Sequence, residues 1–215
     1  MQKSILLTVF LIILVPLSLA DGANLGAGVG ESSAIEEVIF LNSCGAIFVP
    51  GNYQLTNDVA ASSSCYEILA DNVHINCADH SIMYAQSGFG TGVSGGDIHD
   101  ISLANCKIIQ GSTAHSMAQG ASAVKLVNTA QVVIDSVMVS TTGDEGHGFS
   151  LQKSTNVQIK ESKSETSGVG SSAIFFDTIS NSVLVNNVFA SSGANAPAMV
   201  LQDSAMNLLN ENELS

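Results

Sequence analysis

The chain contains no arginine and no tryptophan, and it has only three tyrosines and three prolines. Its six basic residues are all lysines and are outnumbered by 19 acidic residues, so the formal net charge is −13. A surface this acidic repels phosphate backbones, and we therefore expect no nucleic-acid partner. Arginine is the residue that grips carboxylates through paired hydrogen bonds. Its absence argues against any function that needs a tightly clamped uronate.

The N-terminal residues carry a targeting signal. Lys3 precedes an apolar run over residues 5–15, and Pro16 and Ala20 follow it. This pattern predicts a secretory signal peptide over residues 1–20, and the run is short for a membrane span. The alternative is an uncleaved N-terminal anchor.

After the signal, residues 21–33 are rich in glycine, alanine and serine and predict a flexible leader. Residues 34–215 are long enough for one folded domain. We expect this domain to be secreted, extracellular or at the cell surface, or periplasmic if the host has an outer membrane. No membrane span is expected once the signal is cleaved.

From about residue 123 onward the sequence repeats every 25 residues. Three apolar columns keep this step over four repeats, and a column of glycines marks a turn. Several columns in one register indicate a repeat architecture. The columns are Ile134, Ile159, Leu184 and Leu209; Leu126, Leu151, Phe176 and Leu201; Val124, Phe149, Ile174 and Met199; and Gly143, Gly168 and Gly193.

Each repeat predicts short parallel strands. In residues 148–162 the apolar residues alternate, which indicates two strands of about four residues joined by a polar bend. The repeats match head to tail, so equivalent residues should stack at the ordinary strand spacing of about 4.8 Å. A leucine-rich repeat has a similar period, but its LxxLxLxxN core is absent. The sequence therefore predicts an all-β fold, a single-stranded parallel β-helix of about six coils.

Two asparagine columns and two irregular coils refine this prediction. Asn187 and Asn212 share one column, where side-chain amides can stack from coil to coil, and Asn156 and Asn181 share another. The earlier coils are longer, because 28 residues separate Ile75 from Leu103 and 31 separate Leu103 from Ile134. We expect any functional site near these irregular coils.

The four cysteines are even in number and are expected to be oxidised after export. Three pairings are possible, and spacing does not decide between them. We favour Cys44 with Cys65 and Cys77 with Cys106. No cysteine or histidine spacing typical of a zinc site is present.

The segments SCGAIFVPGNYQLTNDV and CYEILADNVHINCADHSIM resemble the first coils of secreted right-handed β-helix repeat proteins of the pectate-lyase-like superfamily. The resemblance implies a right-handed solenoid, but it leaves activity open, since the superfamily includes lyases, hydrolases and copper-maturation proteins. It departs at Ala78 and Asp79, where the family has a glycine. The matching residues are Ser43, Cys44, Ile47, Pro50, Gly51, Tyr53, Leu55, Asp58, Cys65, Ile68, Ala70, Asn72, Val73, Ile75, Asn76, His80 and Ile82.

Candidate catalytic residues lie in one loop. Asp144, Glu145 and His147 resemble the paired acids and Gly-His-Gly segment of polygalacturonase-like hydrolases, in which one carboxyl protonates the leaving oxygen and another activates water. In those enzymes the acids come from separate strands, so adjacent acids predict a poor geometry here. A lyase-type site lacks its arginine base, and the aspartates are scattered.

A metal site is a second hypothesis. His115 and Met117 lie in the inserted loop of one coil and His147 lies in the loop of the next, a donor set that would suit copper. Imidazoles with a carboxylate would suit zinc, and two aspartates on neighbouring coils would suit calcium. We expect His74 and His80 to be structural.

The sequence favours a binding or scaffolding role, with a polysaccharide or another surface protein as partner. The alternative is a carbohydrate-active enzyme, either a polysaccharide lyase or a glycosidase, with its site on the loops at residues 88–97, 115–119 and 144–147.

Residues 207–215 form another ladder strand without a polar cap. This predicts either a truncated chain or end-to-end self-association through the C-terminal coil.

Overall fold

The computed structural model describes residues 37–111 and 120–215. The predicted signal peptide and leader, and the candidate metal ligands His115 and Met117, lie outside the described residues. Within the described ranges every regular element is a β-strand. No helix long and apolar enough to cross a membrane occurs in this part of the chain.

The described strands are short, and they recur in groups of three. In chain order they are β1 (Val38–Leu41), β2 (Gly45–Ile47), β3 (Gly51–Leu55), β4 (Val59–Ala60), β5 (Tyr66–Ile68), β6 (Val73–Asn76), β7 (Ser81–Tyr84), β8 (Val93–Gly96), β9 (His99–Ala104), β10 (Lys107–Gln110), β11 (Val124–Val127), β12 (Ala130–Asp135), β13 (Met138–Thr141), β14 (Phe149–Gln152), β15 (Thr155–Lys160), β16 (Lys163–Thr166), β17 (Ile174–Asp177), β18 (Val183–Val185), β19 (Val188–Ser191), β20 (Met199–Gln202), β21 (Leu208–Asn210) and β22 (Glu213–Leu214).

After the first strand, β1, each of seven groups contributes one strand to each of three parallel sheets. Sheet A has the order β1-β3-β6-β9-β12-β15-β18-β21, sheet B has β2-β5-β8-β11-β14-β17-β20, and sheet C has β4-β7-β10-β13-β16-β19-β22. The groups at the two ends are shortened by the two-residue strands β4 and β22. The all-β parallel solenoid of about six coils predicted from the repeat is therefore confirmed.

The strand register follows the sequence period. Ile134, Ile159, Leu184 and Leu209 are successive partners in sheet A, and the other two apolar columns are successive partners in sheet B. The longer coils keep the register too, because Ile75 pairs with Leu103 and Leu103 with Ile134. Alternate side chains of each strand thus fill the interior, and the others form the outer faces of the sheets.

Sheet C was not anticipated, since each repeat was expected to hold two strands. Its β16 has the polar sequence KSET, yet Ser164 and Thr166 face the interior and are buried. Their hydroxyls donate to the carbonyls of Ala173 and Ser171, at 2.9 and 2.8 Å. Buried hydroxyls paired in this way are tolerated, and they leave no apolar pattern in the sequence.

The two asparagine columns differ in their roles. Asn187 donates from Nδ2 to Oδ1 of Asn212 at 2.9 Å, and its own Oδ1 accepts the backbone N–H of Ser162. This column is an amide ladder, as expected. Asn156 and Asn181 instead have positive φ angles of 56° and 55°. Their column therefore marks a left-handed bend, a conformation that asparagine tolerates well.

Two disulfides join neighbouring coils in the first half of the solenoid. Cys44 bonds to Cys65 and Cys77 bonds to Cys106, which are the pairings favoured from the sequence. Cys65, Cys77 and Cys106 are buried. Disulfides of this kind are typical of extracellular and other oxidising compartments.

Side chains at the last group of strands are more exposed than their partners. Leu201, Leu209 and Leu214 continue interior ladders, yet they are 42, 44 and 53% exposed. End-to-end association through this coil stays a prediction, which light scattering of the purified protein would test.

Candidate functional site

A group of polar side chains lies on the outer face of sheet A, near its N-terminal end. Asn52, His74 and Ser102 are successive register partners on β3, β6 and β9. Gln54 and Asn76 lie two residues further along β3 and β6, on the same outer face. The five residues help to line a groove of about 320 Å³. We call them the amide face.

Strand alternation places these residues on the outside. On β3 their neighbours Tyr53 and Leu55 are buried, and on β6 the neighbours Val73 and Ile75 are buried. Because the apolar residues are held in the interior, the polar residues between them must point outward. The amide face therefore rests on a packed core and not on a loop.

Most polar groups of the amide face form no hydrogen bond with the described residues and are in this sense uncommitted. Within the described part of the chain, the side-chain amides of Asn52 and Gln54 make no hydrogen bond, although both residues are half-buried. Oδ1 of Asn76 accepts from the backbone N–H of Ala78 at 2.9 Å and from Nδ2 of Asn105 at 3.2 Å. These bonds fix the amide plane of Asn76, and its own Nδ2 donates to none of the described residues.

One contact links two members of the face. Nδ1 of His74 lies 3.0 Å from Oγ of Ser102, within hydrogen-bond distance. The pair joins two adjacent coils, because the residues are 28 positions apart.

An exposed aromatic ring adjoins the groove, whose lining contains no aspartate, glutamate or lysine. Phe40 is the register partner of Gln54 and is 65% exposed. Charged side chains border the groove, because Asp71 lies 3.2 Å from His99 at the start of β9 and Asp135, the register partner of the lining residue Ala104, pairs with Lys160 at 2.9 Å. The amide face is therefore a patch without carboxylates or lysines that is bordered by charged residues.

A larger groove, of about 430 Å³, lies over sheet C, and some of its polar groups are engaged. The hydroxyls of Thr141 and Thr166 donate to backbone carbonyls at 2.9 and 2.8 Å. Glu165 is paired with Lys163 at 2.7 Å. The hydroxyls of Ser140, Thr142, Ser167 and Ser215 have no partner among the described residues, so this groove differs from the amide face in offering hydroxyls and no side-chain amide.

The candidate catalytic loop binds the next coil of the solenoid. Oδ1 of Asp144 accepts the backbone N–H of Val169 at 2.8 Å. Nδ1 of His147 accepts the backbone N–H of Ser172 at 3.0 Å. Glu145 is exposed. Asp144 and His147 both accept hydrogen bonds from the backbone of the following coil, and this structural role explains their presence.

His147 is also packed against an aromatic ring. Its imidazole stacks on Phe175 with the ring centroids 4.6 Å apart and the planes 9° from parallel. Burial lowers the pKa of His147, and the positive charge of Lys125 lowers it further. The neutral form of the imidazole is thus favoured in the folded protein.

This lowered pKa predicts a dependence of stability on pH. Below the ordinary histidine pKa of about 6.5 the unfolded chain binds a proton that the folded chain resists. His147 should therefore support full stability above that pH, and part of it should be lost as the pH falls. Thermal unfolding from pH 8 to pH 5 should show a smaller fall in midpoint for His147→Asn than for the unchanged protein. Equal falls in both proteins would contradict the prediction.

The metal hypotheses receive little structural support. In residues 37–111 and 120–215 no three residues among His, Cys, Asp and Glu come together as a metal site. Asp135 is paired with Lys160, and Asp177 accepts a hydrogen bond from the hydroxyl of Thr178 at 3.0 Å. The copper site at His115, Met117 and His147 stays a prediction, because its first two ligands are outside the described residues.

Comparison of the chain with protein-family models, with curated proteins and with solved structures finds no match. The geometry of the amide face is therefore the basis on which a function is proposed. Sequence reasoning treated His74 as structural and did not connect it with Ser102. The sequence contains a signal for this pairing, because His74 directly precedes Ile75 and Ser102 directly precedes Leu103, two residues of one ladder.

Proposed function

We propose that this protein is a secreted β-helix protein that binds a neutral polysaccharide outside the cell, through the amide face. The observation that carries the proposal is the pair of half-buried, uncommitted amides of Asn52 and Gln54 beside the exposed ring of Phe40. The two disulfides support an oxidising compartment. The resemblance of the first coils to the pectate-lyase-like superfamily supports a carbohydrate ligand.

The chemistry of the face suits sugar hydroxyl groups. A side-chain amide carries both donors and an acceptor, as does each hydroxyl, so the two can exchange hydrogen bonds. The aromatic ring supplies an apolar surface of the kind that ligand sites combine with a few placed polar groups. An anionic polymer would find no lysine in the groove lining to pair with. A neutral glycan is therefore favoured.

The shape of the face suits a polymer more than a small molecule. The groove spans strands β1, β3, β6 and β9, a width of roughly 14 Å at the usual strand spacing. It is open to solvent along this width, so a chain longer than one sugar ring can enter. A preformed face on a packed solenoid also loses little freedom on binding.

The test is binding of the full chain to neutral polysaccharides, measured by affinity electrophoresis and then by calorimetry on fragments of any polymer that binds. Asn52→Ala with Gln54→Ala should weaken binding at least tenfold, because a lost hydrogen bond contributes about 1 kcal/mol or more. Phe40→Ala should weaken it as well. Gln158→Ala is the matched control, since Gln158 lies in the same outer column of sheet A, beyond the groove.

Either of two results would contradict the proposal. One is that no neutral polysaccharide binds, and the other is that the double variant binds as tightly as the control. Release of reducing ends or of unsaturated products in the same samples would instead support the carbohydrate-active enzyme predicted as the alternative.

A further inference from the structure

We infer that Ser102 and His74 form a hydrolytic pair that removes acyl groups from ester-modified sugars held on the amide face. The two side chains are already within hydrogen-bond distance, at 3.0 Å. Both are half-buried in the same groove, where a ligand can reach them. The sugar part of this substrate rests on the proposed function, whereas the reactivity of Ser102 does not.

The pair has the arrangement that a nucleophilic serine needs. When the His74 proton is on Nε2, the lone pair of Nδ1 accepts the hydroxyl proton of Ser102. A serine hydroxyl is a weak nucleophile until an adjacent base takes its proton. Among the described residues, Nδ1 of His74 is the one hydrogen-bond partner of this hydroxyl.

Asn76 is suited to stabilise the charge that develops on the substrate. It lies on β6 two residues after His74, and its neighbour in register, Ala104, lies two residues after Ser102. Because its Oδ1 is held by two donors, its amide plane is fixed and its Nδ2 is left to donate outward. A preorganised donor of this kind stabilises the oxyanion of a tetrahedral intermediate.

The reaction needs only the ester and water. Oγ of Ser102 bonds to the acyl carbon while its proton passes to Nδ1 of His74. The tetrahedral intermediate collapses, the bond from carbon to the sugar oxygen breaks, and the imidazolium returns the proton to that oxygen. Water then attacks the acyl-serine while His74 takes one of its protons. The bond between the acyl carbon and Oγ breaks, the imidazolium returns the proton to Oγ, and a carboxylic acid leaves.

The test uses the full chain with a fluorophosphonate probe and a chromogenic acetate ester. We expect the probe to label Ser102, located by mass spectrometry of the digested protein. Ser102→Ala and His74→Gln should each lower ester hydrolysis by about 100-fold, the range typical of lost general-base catalysis. Ser140→Ala is the matched control, since Ser140 is a half-buried serine on the outer face of sheet C that lacks a histidine partner among the described residues.

The outcomes separate the two proposals. Labelling at another residue, no labelling, or undiminished hydrolysis by Ser102→Ala would overturn the hydrolytic pair, whether or not glycans bind. Labelling of Ser102 without any glycan binding would support the pair and overturn the proposed function. Circular dichroism should show that each variant is folded, so that a loss of labelling or hydrolysis reports on the pair itself.

Discussion

Replacing Gly168 with alanine is expected to destabilise the solenoid by about 3 kcal/mol or more. A Cβ atom at this position would overlap the carbonyl group of Gly143, in the preceding coil. That carbonyl cannot easily move, because it accepts the hydroxyl of Ser171 at 2.8 Å, while the N–H of Gly143 donates to Gln110 at 2.9 Å. Relieving the overlap would therefore break buried hydrogen bonds.

Thermal unfolding measures this effect, and a midpoint lower by about 6 to 12 °C is expected for a domain of this size. Gly45→Ala is the control, since a Cβ atom there has nothing within 4 Å. Its midpoint should change little. A change of less than about 1 kcal/mol for Gly168→Ala would show that the coils do not approach as closely as described.

The same glycine illustrates what the sequence could predict. Its 25-residue column with Gly143 and Gly193 identified a turn, and the apolar columns gave the strand register of sheets A and B. Register follows from a hydrophobic pattern because a slip of one residue would turn the apolar side chains outward. The confirmed ladders show that the pattern aligned six strands of sheet A, from Ile75 to Leu209, and four strands of sheet B.

Sheet C shows where this reasoning fails. The signal for a strand is an apolar side chain at every second position, and in β16 the inward positions are Ser164 and Thr166. Both hydroxyls donate hydrogen bonds to backbone carbonyls of the turn that follows. A strand of this kind is stabilised by its neighbours in the stack, through contacts that no short window of sequence reveals.

The candidate site was predictable in part. Breaks in the period direct attention to the coils between Ile75 and Ile134, where the 28-residue step aligns His74 with Ser102, but the amide face lies on strands of sheet A and not on the long loops. What the sequence cannot provide is which polar groups are already paired. Asp144 and His147 looked reactive but bind the backbone of the next coil, whereas Asn52 looked ordinary and is uncommitted. Only the positions of neighbouring coils distinguish these cases.

Truncation of Leu151 to alanine should be the other large effect, with a loss of about 2 to 5 kcal/mol. Leu151 is completely buried and pairs with Leu126 on one side and Phe176 on the other. Removing its side chain leaves a cavity between two coils that are held apart by their own hydrogen bonds, so the stack can collapse little. Denaturation with guanidinium chloride measures the loss, provided that the unfolding free energy of both proteins falls with the same slope as denaturant is added.

Leu201→Ala is a control in the same ladder. Leu201 pairs with Phe176 on the preceding coil, but its side chain is 42% exposed, so truncation should cost about 1 kcal/mol or less. The difference between the two variants measures what burial between two coils adds, because residue type, sheet and interior column are identical. Equal losses would mean that Leu201 is covered in solution. In that case the C-terminal coil must be packed against a second surface, and light scattering of the same sample should show an assembly larger than the monomer.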